Sequence, residues 1–265
     1  MNRNLLDVLK YEKNNKISGG IYHKLQVEFT YNSNHIEGSK LTEDQTRMIF
    51  ETNTLGVNEA VNVDDVIETV NHFQAIDKVI DSYDEDLTED YIKDIHKFLK
   101  AGTSDSKLDW FKVGDYKAYP NEVGGYETTS PEDVSRDMKK LLDSYNERAD
   151  KAVEDIIDFH YKFEKIHPFQ DGNGRVGRLI IFKECLKHDL VPFIISEDLK
   201  FFYYRGLAEY KKERGYLVET CLSAQDRFKT YLDYFKIEYK DWEKLYKKIK
   251  IARKFNLAIF FILCY

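Results

Sequence analysis

Between His167 and Arg178 the sequence reads His-Pro-Phe-Gln-Asp-Gly-Asn-Gly-Arg-Val-Gly-Arg, which brings a base, a carboxylate and two guanidinium groups close together. Pro168 disfavours the α conformation at His167, so a helix should stop there and leave the imidazole at the mouth of a loop. Gly172 and Gly174 flank Asn173 and permit backbone angles in which successive N–H groups turn inward at the start of the next helix. Such a cradle, with the helix dipole behind it, suits phosphate. Arg175 and Arg178, three apart on the first turn, can fork onto further phosphate oxygens. Asp171 is a hard oxygen ligand of the kind Mg²⁺ takes. An imidazole with a reference pKa of about 6.5 is largely neutral at pH 7 and can accept a proton. The set fits phosphoryl or nucleotidyl transfer. Singly, each residue could be structural, but together that would leave the Gly-Asn-Gly amides without a purpose. Phe169 reads as an anchor beneath the loop. His160 and His167 share a helix face, yet no third metal ligand stands by them, so His160 reads as a core histidine.

The loop must be held by helices. Pro is rare (4), Gly modest (13) and charged residues make up 33%, which favours a mainly α chain with short loops. Thr42 and Gln45 have the form of a capping box with Leu41 ahead of it. Val61, Val63, Val66, Ile67, Val70, Phe73, Ile76 and Ile80 trace an apolar stripe at helical spacing. Further helices are expected after Thr88 and from Ser130-Pro131-Glu132-Asp133, where an N-cap serine, a proline at N1 and two acids agree. Val153 to Ile166 leads into the motif, and Val176 to Leu186 leads out of it. Only Phe111–Thr128, with Gly124-Gly125, looks like strand and turn, and a small hairpin is expected there.

The 265 residues show no repeat and no Gly/Ser- or Pro-rich linker, so one continuous domain is the simplest reading. A net charge of −7 and 42% hydrophobic content speak against disorder and against a nucleic-acid partner. Cys185, Cys221 and Cys264 are widely spaced and odd in number, which fits a reducing cytoplasm better than a disulfide framework. Met1 to Lys16 lacks the apolar stretch of a signal peptide. Phe255 to Tyr265 is apolar but shorter than the roughly 20 residues of a membrane span. A helix packed on the body or on a second copy is expected there ahead of a membrane-surface anchor.

The segment from His167 to Arg178 resembles the signature of the Fic (filamentation induced by cAMP) family, HPFx(D/E)GNGRxxR, at all nine specified positions. The resemblance implies a Fic-type helical bundle with a small β-hairpin flap, and a protein adenylyltransferase that moves AMP from ATP onto a Ser, Thr or Tyr hydroxyl. By resemblance, His167 is the general base and Asp171 holds Mg²⁺ or Mn²⁺. Asn173 with the Gly172 and Gly174 amides binds the α- and β-phosphates, Arg175 the β-phosphate and Arg178 the γ-phosphate. Val176 and Gly177 complete the nucleotide-binding stretch.

Ser33-Asn34-His35-Ile36-Glu37-Gly38 resembles the family's inhibitory motif, (S/T)xxxE(G/N). Ser33 and Glu37 share a helix face that Gly38 would end. A carboxylate at a helix C-terminus faces the unfavourable end of the dipole, so Glu37 wants a cation. By resemblance that cation is Arg178, and the pair holds the site off. Val113 to Gly124 resembles the flap that pairs with a target protein by strand addition, with Asn121, Glu122, Val123 and Gly124 bordering the nucleotide. Pro120 departs from the family pattern and would interrupt a ladder. Tyr203 and Lys211 are expected on the adenine side. The expected organisation is a catalytic domain over residues 1–235, with an inhibitory helix at about 22–38 and the flap at about 113–126, followed by a helical tail over 236–265. The resemblance also admits a homodimer and self-modification. Competing readings are removal of AMP, another phosphate-containing donor, or a nucleotide-sensing binding module, against which the intact His167 speaks.

Overall fold

The helix that leaves the Gly-Asn-Gly loop, α8 (Asn173–Lys187), is buried along nearly its whole length. A helix enclosed on all sides must find a partner for each polar group it carries. Arg175 and Arg178 each meet a carboxylate in the site described below, and Glu184 accepts from the Tyr145 hydroxyl at 2.8 Å and from Lys183 at 2.8 Å.

The computed structural model describes residues 4–239. The helices before α8 are α1 (Leu5–Asn14), α2 (Ile21–Ile36), α3 (Glu43–Thr52), α4 (Val63–Asp81), α5 (Glu89–Lys100), α6 (Pro131–Asn146) and α7 (Val153–Ile166), of which α2, α4, α5 and α7 pack on α8. α9 (Lys200–Glu209) and α10 (Gly215–Phe235) close the bundle. The chain is mainly helical, and among the described residues the one sheet is β1 (Glu122–Val123) with β2 (Tyr126–Glu127).

Local signals set most helix ends. Thr42 and Gln45 exchange both bonds of a capping box, Asn62 and Thr88 cap α4 and α5, and Pro131 opens α6. α1 is not expected from the polar N-terminal stretch; Asn4 caps it, and Leu5, Val8 and Leu9 are its buried side. Strand pairing is narrower than the expected flap, because only residues 122–127 pair. Gly124 and Gly125 both take positive φ, as a two-residue hairpin turn requires. Pro120 lies before the ladder and does not interrupt it.

The large apolar core is formed by α1, α2, α4–α8 and α10. A second cluster, with Ile36, Ile156, Tyr161, Ile181, Tyr203, Leu217 and Cys221, fixes α9 and α10 against α7, α8 and the end of α2. The loop from His167 to Gly172 and the end of α2 thus meet between the two clusters. Cys185 and Cys221 are buried and free. Among the described residues no helix is long and apolar enough to cross a membrane. Cys264, the tail helix and the apolar Phe255–Tyr265 run lie outside the described residues.

Candidate functional site

His167 ends α7 in the left-handed conformation, φ 52° and ψ 62°, with its N–H donating to the Phe163 carbonyl at 2.9 Å. A non-glycine residue held there carries about 1–2 kcal/mol of strain, and Pro168 blocks continuation as a helix. The next residues are pinned by Asn173. Its Oδ1 accepts from the Phe169 N–H at 2.8 Å, and its Nδ2 donates to the Phe169 carbonyl at 2.8 Å. Phe169 is fully buried and stacks on His96, ring centres 4.0 Å apart. His96 accepts from the Gly114 N–H at 2.9 Å and meets the Asp171 carbonyl at 3.2 Å. Gly172 takes φ 81°, open to glycine at no steric cost, and starts α8.

A cavity of about 600 Å³ opens beside this loop. His167, Gly174, Arg178, Glu37, Glu164, Tyr203, Tyr204, Leu207 and Ala208 line it, with Glu122, Val123 and Gly124 of the hairpin on the other side. Arg178 is buried against α2: Nε donates to Ser33 Oγ at 3.0 Å, Nη2 to the Ser33 carbonyl at 2.8 Å and to Glu37 Oε1 at 2.7 Å. Glu37 caps the end of α2 and Gly38 follows with φ 106°. The carboxylate lies so close to the start of α8 that a Cβ on Gly174 would stand 2.2 Å from Glu37 Oε1. Arg178 Nη1 is buried with no hydrogen-bond partner. An unpaired donor at a cavity wall is a position prepared for an anion.

The other motif residues are not among the cavity's walls. Arg175 is buried toward α4, where it pairs with Glu68 and donates to Asp171 at 3.1 Å. Lys100, 2% exposed, donates to Glu68 at 2.7 Å and to Asp171 at 2.6 Å. Val176 is core, and Gly177 backs onto Glu164 and His160. Asn121 ties the hairpin down: Nδ2 donates to the Phe169 carbonyl at 3.1 Å, and Oδ1 accepts from Lys117 at 2.7 Å. Lys211 is exposed on the turn after α9, outside the cavity walls. Tyr203 is buried and shares a 2.7 Å hydrogen bond with His160 Nε2.

Burial, then the nearby Lys117 ammonium, lowers His167 to about 4, so its imidazole is neutral at pH 7. Burial alone would raise Asp171, but Arg175 and Lys100 outweigh it and hold the carboxylate well below its ordinary range. Its side chain is 48% exposed, so the charge remains reachable. A single carboxylate of this kind fits a divalent ion whose other ligands are substrate phosphates and water. Among the described residues, no group of three or more His, Cys, Asp or Glu could hold a metal.

Two expected outcomes follow from these contacts. Lys100→Met removes one partner of a buried cluster, for which the cost is about 3 kcal/mol. It should lower the urea midpoint by a matching amount at constant slope, and an unchanged midpoint would mean that the cluster is solvated. His72, His96 and His160 are lowered chiefly by burial, His96 and His160 to about 3. Unfolded histidines titrate at about 6.5, so below that pH the unfolded chain binds more protons and stability declines toward acid. Calorimetry should give a lower Tm at pH 5 than at pH 7.5; equal values would mean these rings protonate freely in the fold.

Sequence reasoning gives no role to Lys100, Glu68, Glu164, Lys117 or His96. The one signal in the sequence is a charged or polar residue on an apolar stripe: His96 and Lys100 both fall on the inner face of α5 with Ile92, Ile95 and Leu99.

The family model described as Fic/DOC family matches residues 86–184, from just before α5 to within α8. Residues 86–184 are a Fic/DOC family domain. Over 188 residues the chain is 29% identical to a protein adenylyltransferase Fic of Nematostella vectensis, covering 67% of this chain and 41% of that protein. With protein adenylyltransferase fic-1 of Caenorhabditis elegans the identity is 25% over 189 residues, 68% of this chain and 35% of that one. This chain therefore spans less than half the length of these curated relatives. A Fic domain containing signaling protein from Bacteroides thetaiotaomicron superposes with a TM-score of 0.64 at 26% identity, over 86% of this chain and 90% of that one. Fic-1 from C. elegans shares the fold, with a TM-score of 0.67 at 21% identity over 86% and 68% of the two chains. The Fic domain thus contributes the loop, the hairpin and Arg178 to the cavity, and α2 lies ahead of the matched segment.

Proposed function

We propose that this chain is a protein adenylyltransferase, transferring AMP from ATP to a Ser, Thr or Tyr hydroxyl of a target protein, and that Glu37 holds the resting site off. The observation that carries the reading is the meeting of His167, Gly174 and Arg178 in one cavity with the Glu37 carboxylate on Arg178. The adenylyltransferase names of the curated relatives support it. His167 takes the proton of the attacking hydroxyl as that oxygen bonds to the α-phosphorus and pyrophosphate leaves. The amides at the start of α8 receive phosphate oxygens. Arg178, once released by Glu37, binds the γ-phosphate, and its unpaired Nη1 is already buried at the cavity. Asp171 is the residue that would hold Mg²⁺ or Mn²⁺, which supplies positive charge to the phosphates. Tyr203, Tyr204 and Leu207 offer an aromatic and apolar wall for the base.

The hairpin borders the same cavity and gives an extended target segment a short edge to pair with. Lys117 is its foundation: buried, it donates to Asn121 Oδ1 at 2.7 Å and Thr128 Oγ1 at 2.6 Å, while its N–H donates to the Pro168 carbonyl at 2.9 Å. The target-binding edge is in this way fastened to the loop that carries the base. We assign the catalytic unit to residues 1–235.

Intact-mass and peptide mass spectrometry of Glu37→Gly, incubated with ATP, Mg²⁺ and a cell lysate, tests the reading. The expected result is AMP added to the chain itself or to lysate proteins, and lost on a further His167 substitution. No added AMP on either would overturn it.

A further inference from the structure

Glu164 is a carboxyl group that the reaction outlined above does not use. It stands on α7 one turn before His167, lines the cavity, and has Oε1 buried without a hydrogen-bond partner. Its other oxygen, Oε2, lies 3.9 Å from His167 Nδ1, longer than a hydrogen bond; that nitrogen is buried without a side-chain partner, and the Glu164 backbone also bears on the ring. Oε1 lies 4.0 Å from Nδ1 of His160, the third member of the same unpartnered group. Buried polar atoms are seldom left unpaired, so three facing one another call for an account. The room for the carboxyl comes from Gly177, where a Cβ would stand 2.7 Å from Glu164 Oε1 and 2.8 Å from His160 Nδ1.

His160 already spends Nε2 on the Tyr203 hydroxyl. His167 is different. Its Nδ1 is sealed on the Glu164 side, and Nε2 is the ring nitrogen left for the cavity. A base needs Nε2 unprotonated, and that requires the ring proton on Nδ1 and an acceptor to keep it there.

We propose that Glu164 is the positioning residue of His167, accepting the Nδ1–H when ionised and so presenting Nε2 with a free lone pair. The proposal rests on the reading of His167 as the base. A protonated Glu164 would act in the opposite sense: its O–H donates to Nδ1, the ring proton moves to Nε2, and the imidazole cannot accept the substrate proton. The groups that face Glu164 decide between these forms. They are His160 and His167 on its own helix, Arg178 on α8, Glu37 at the end of α2, and Tyr203 and Tyr204 on α9. His167 also feels Lys117, the Glu164 backbone, Glu37 directly and Asp171. Burial first, then the Glu37 charge, raises Glu164 to about 8, against the pull of Arg178. With Glu37 on Arg178, Glu164 is therefore mostly protonated at pH 7. Withdrawing Glu37 removes a repulsive charge and leaves Arg178 less neutralised, and both changes favour ionised Glu164. Glu37 thus acts on the base through Glu164 as well as on the phosphate site.

The test uses the full chain with ¹⁵N-labelled histidine, in the parent, Glu37→Gly, and Glu37→Gly combined with Glu164→Leu or Glu164→Gln. The ¹⁵N shifts of His167 are read from pH 6 to pH 9. In Glu37→Gly, the ring should pass to the Nδ1–H tautomer with rising pH, at a lower midpoint than in the parent. Glu164→Leu should abolish that transition and lower kcat about tenfold or more with KM for ATP unchanged. Glu164→Gln keeps an acceptor but cannot titrate, so it should restore kcat and flatten the pH profile. A tautomer transition and pH profile that persist in Glu164→Leu, or that report on His160 instead, would overturn the proposal. If no variant transfers AMP while the ¹⁵N transition depends on Glu164, the positioning role stands and the adenylyltransferase reading fails.

Discussion

Replacing His167 by asparagine in a Glu37→Gly background should lower AMP incorporation by about 10²–10⁴-fold, the range for loss of a positioned general base. Asparagine is the better choice over alanine because the position has φ 52°, a conformation Asn tolerates several-fold better than other residues. The loop should keep its shape, since its closure depends on the Asn173 bonds to Phe169 rather than on the imidazole. The imidazole is neutral at pH 7, with burial and Lys117 keeping it so, and among the described residues lining the cavity it is the one imidazole. Incorporation of labelled AMP is the measurement, with Tm as the control for folding. Activity within about threefold of the parent would remove His167 from the role.

The second large effect has the opposite sign. Glu37→Gly should raise transfer by about 5- to 150-fold, the span for a coupling free energy of about 1–3 kcal/mol. The carboxylate takes Arg178 Nη2 at 2.7 Å and overhangs Gly174, so it fills the space where the phosphates would meet the helix start. Burial would lower the Arg178 pKa, but Glu37 overrides it and keeps the guanidinium firmly charged. Losing Glu37 removes its acid partner and leaves the Ser33 hydroxyl and carbonyl as acceptors, with Glu164 and Tyr203 nearby. The nucleotide-free variant should therefore melt below the parent, and ATP should raise its Tm more than it raises the parent's. Calorimetry with and without ATP, alongside labelled-AMP incorporation, checks both halves. Equal incorporation by the two proteins would sink the brake.

Features set by neighbours along the chain are legible in the sequence alone. The Thr42–Gln45 box, Pro131 at the start of α6 and the break at His167-Pro168 are each decided within about four residues. The resemblance to the family's inhibitory motif also points to Arg178 as the partner of Glu37, although 141 residues separate them. The Lys100, Glu68, Asp171 and Arg175 cluster is not legible in that way. Charges on α4 and α5 ordinarily mark a solvent face, and only the packing of both helices on α8 turns these inward. Arg175 is expected from the motif to meet phosphate beside Arg178. Three residues apart on a helix they point to neighbouring faces, and the packing sends one to α4 and the other to α2. Glu164 leaves a faint trace: it follows His160 by four residues, on the same buried side of α7.

α2 buries ten of its sixteen residues, with Leu25 and Phe29 in the main core. A segment set so deeply cannot detach to free the site without unfolding much of the bundle. If Glu37 is the brake proposed above, relief at the last turn of α2 needs only the rotation of one side chain that is 28% exposed. The control element is then a throttle and not a latch. With a coupling of about 1–3 kcal/mol, such a throttle would stand open in about 1–20% of molecules. Background output is built into such an arrangement, and a regulator can multiply it only by the reciprocal of that fraction.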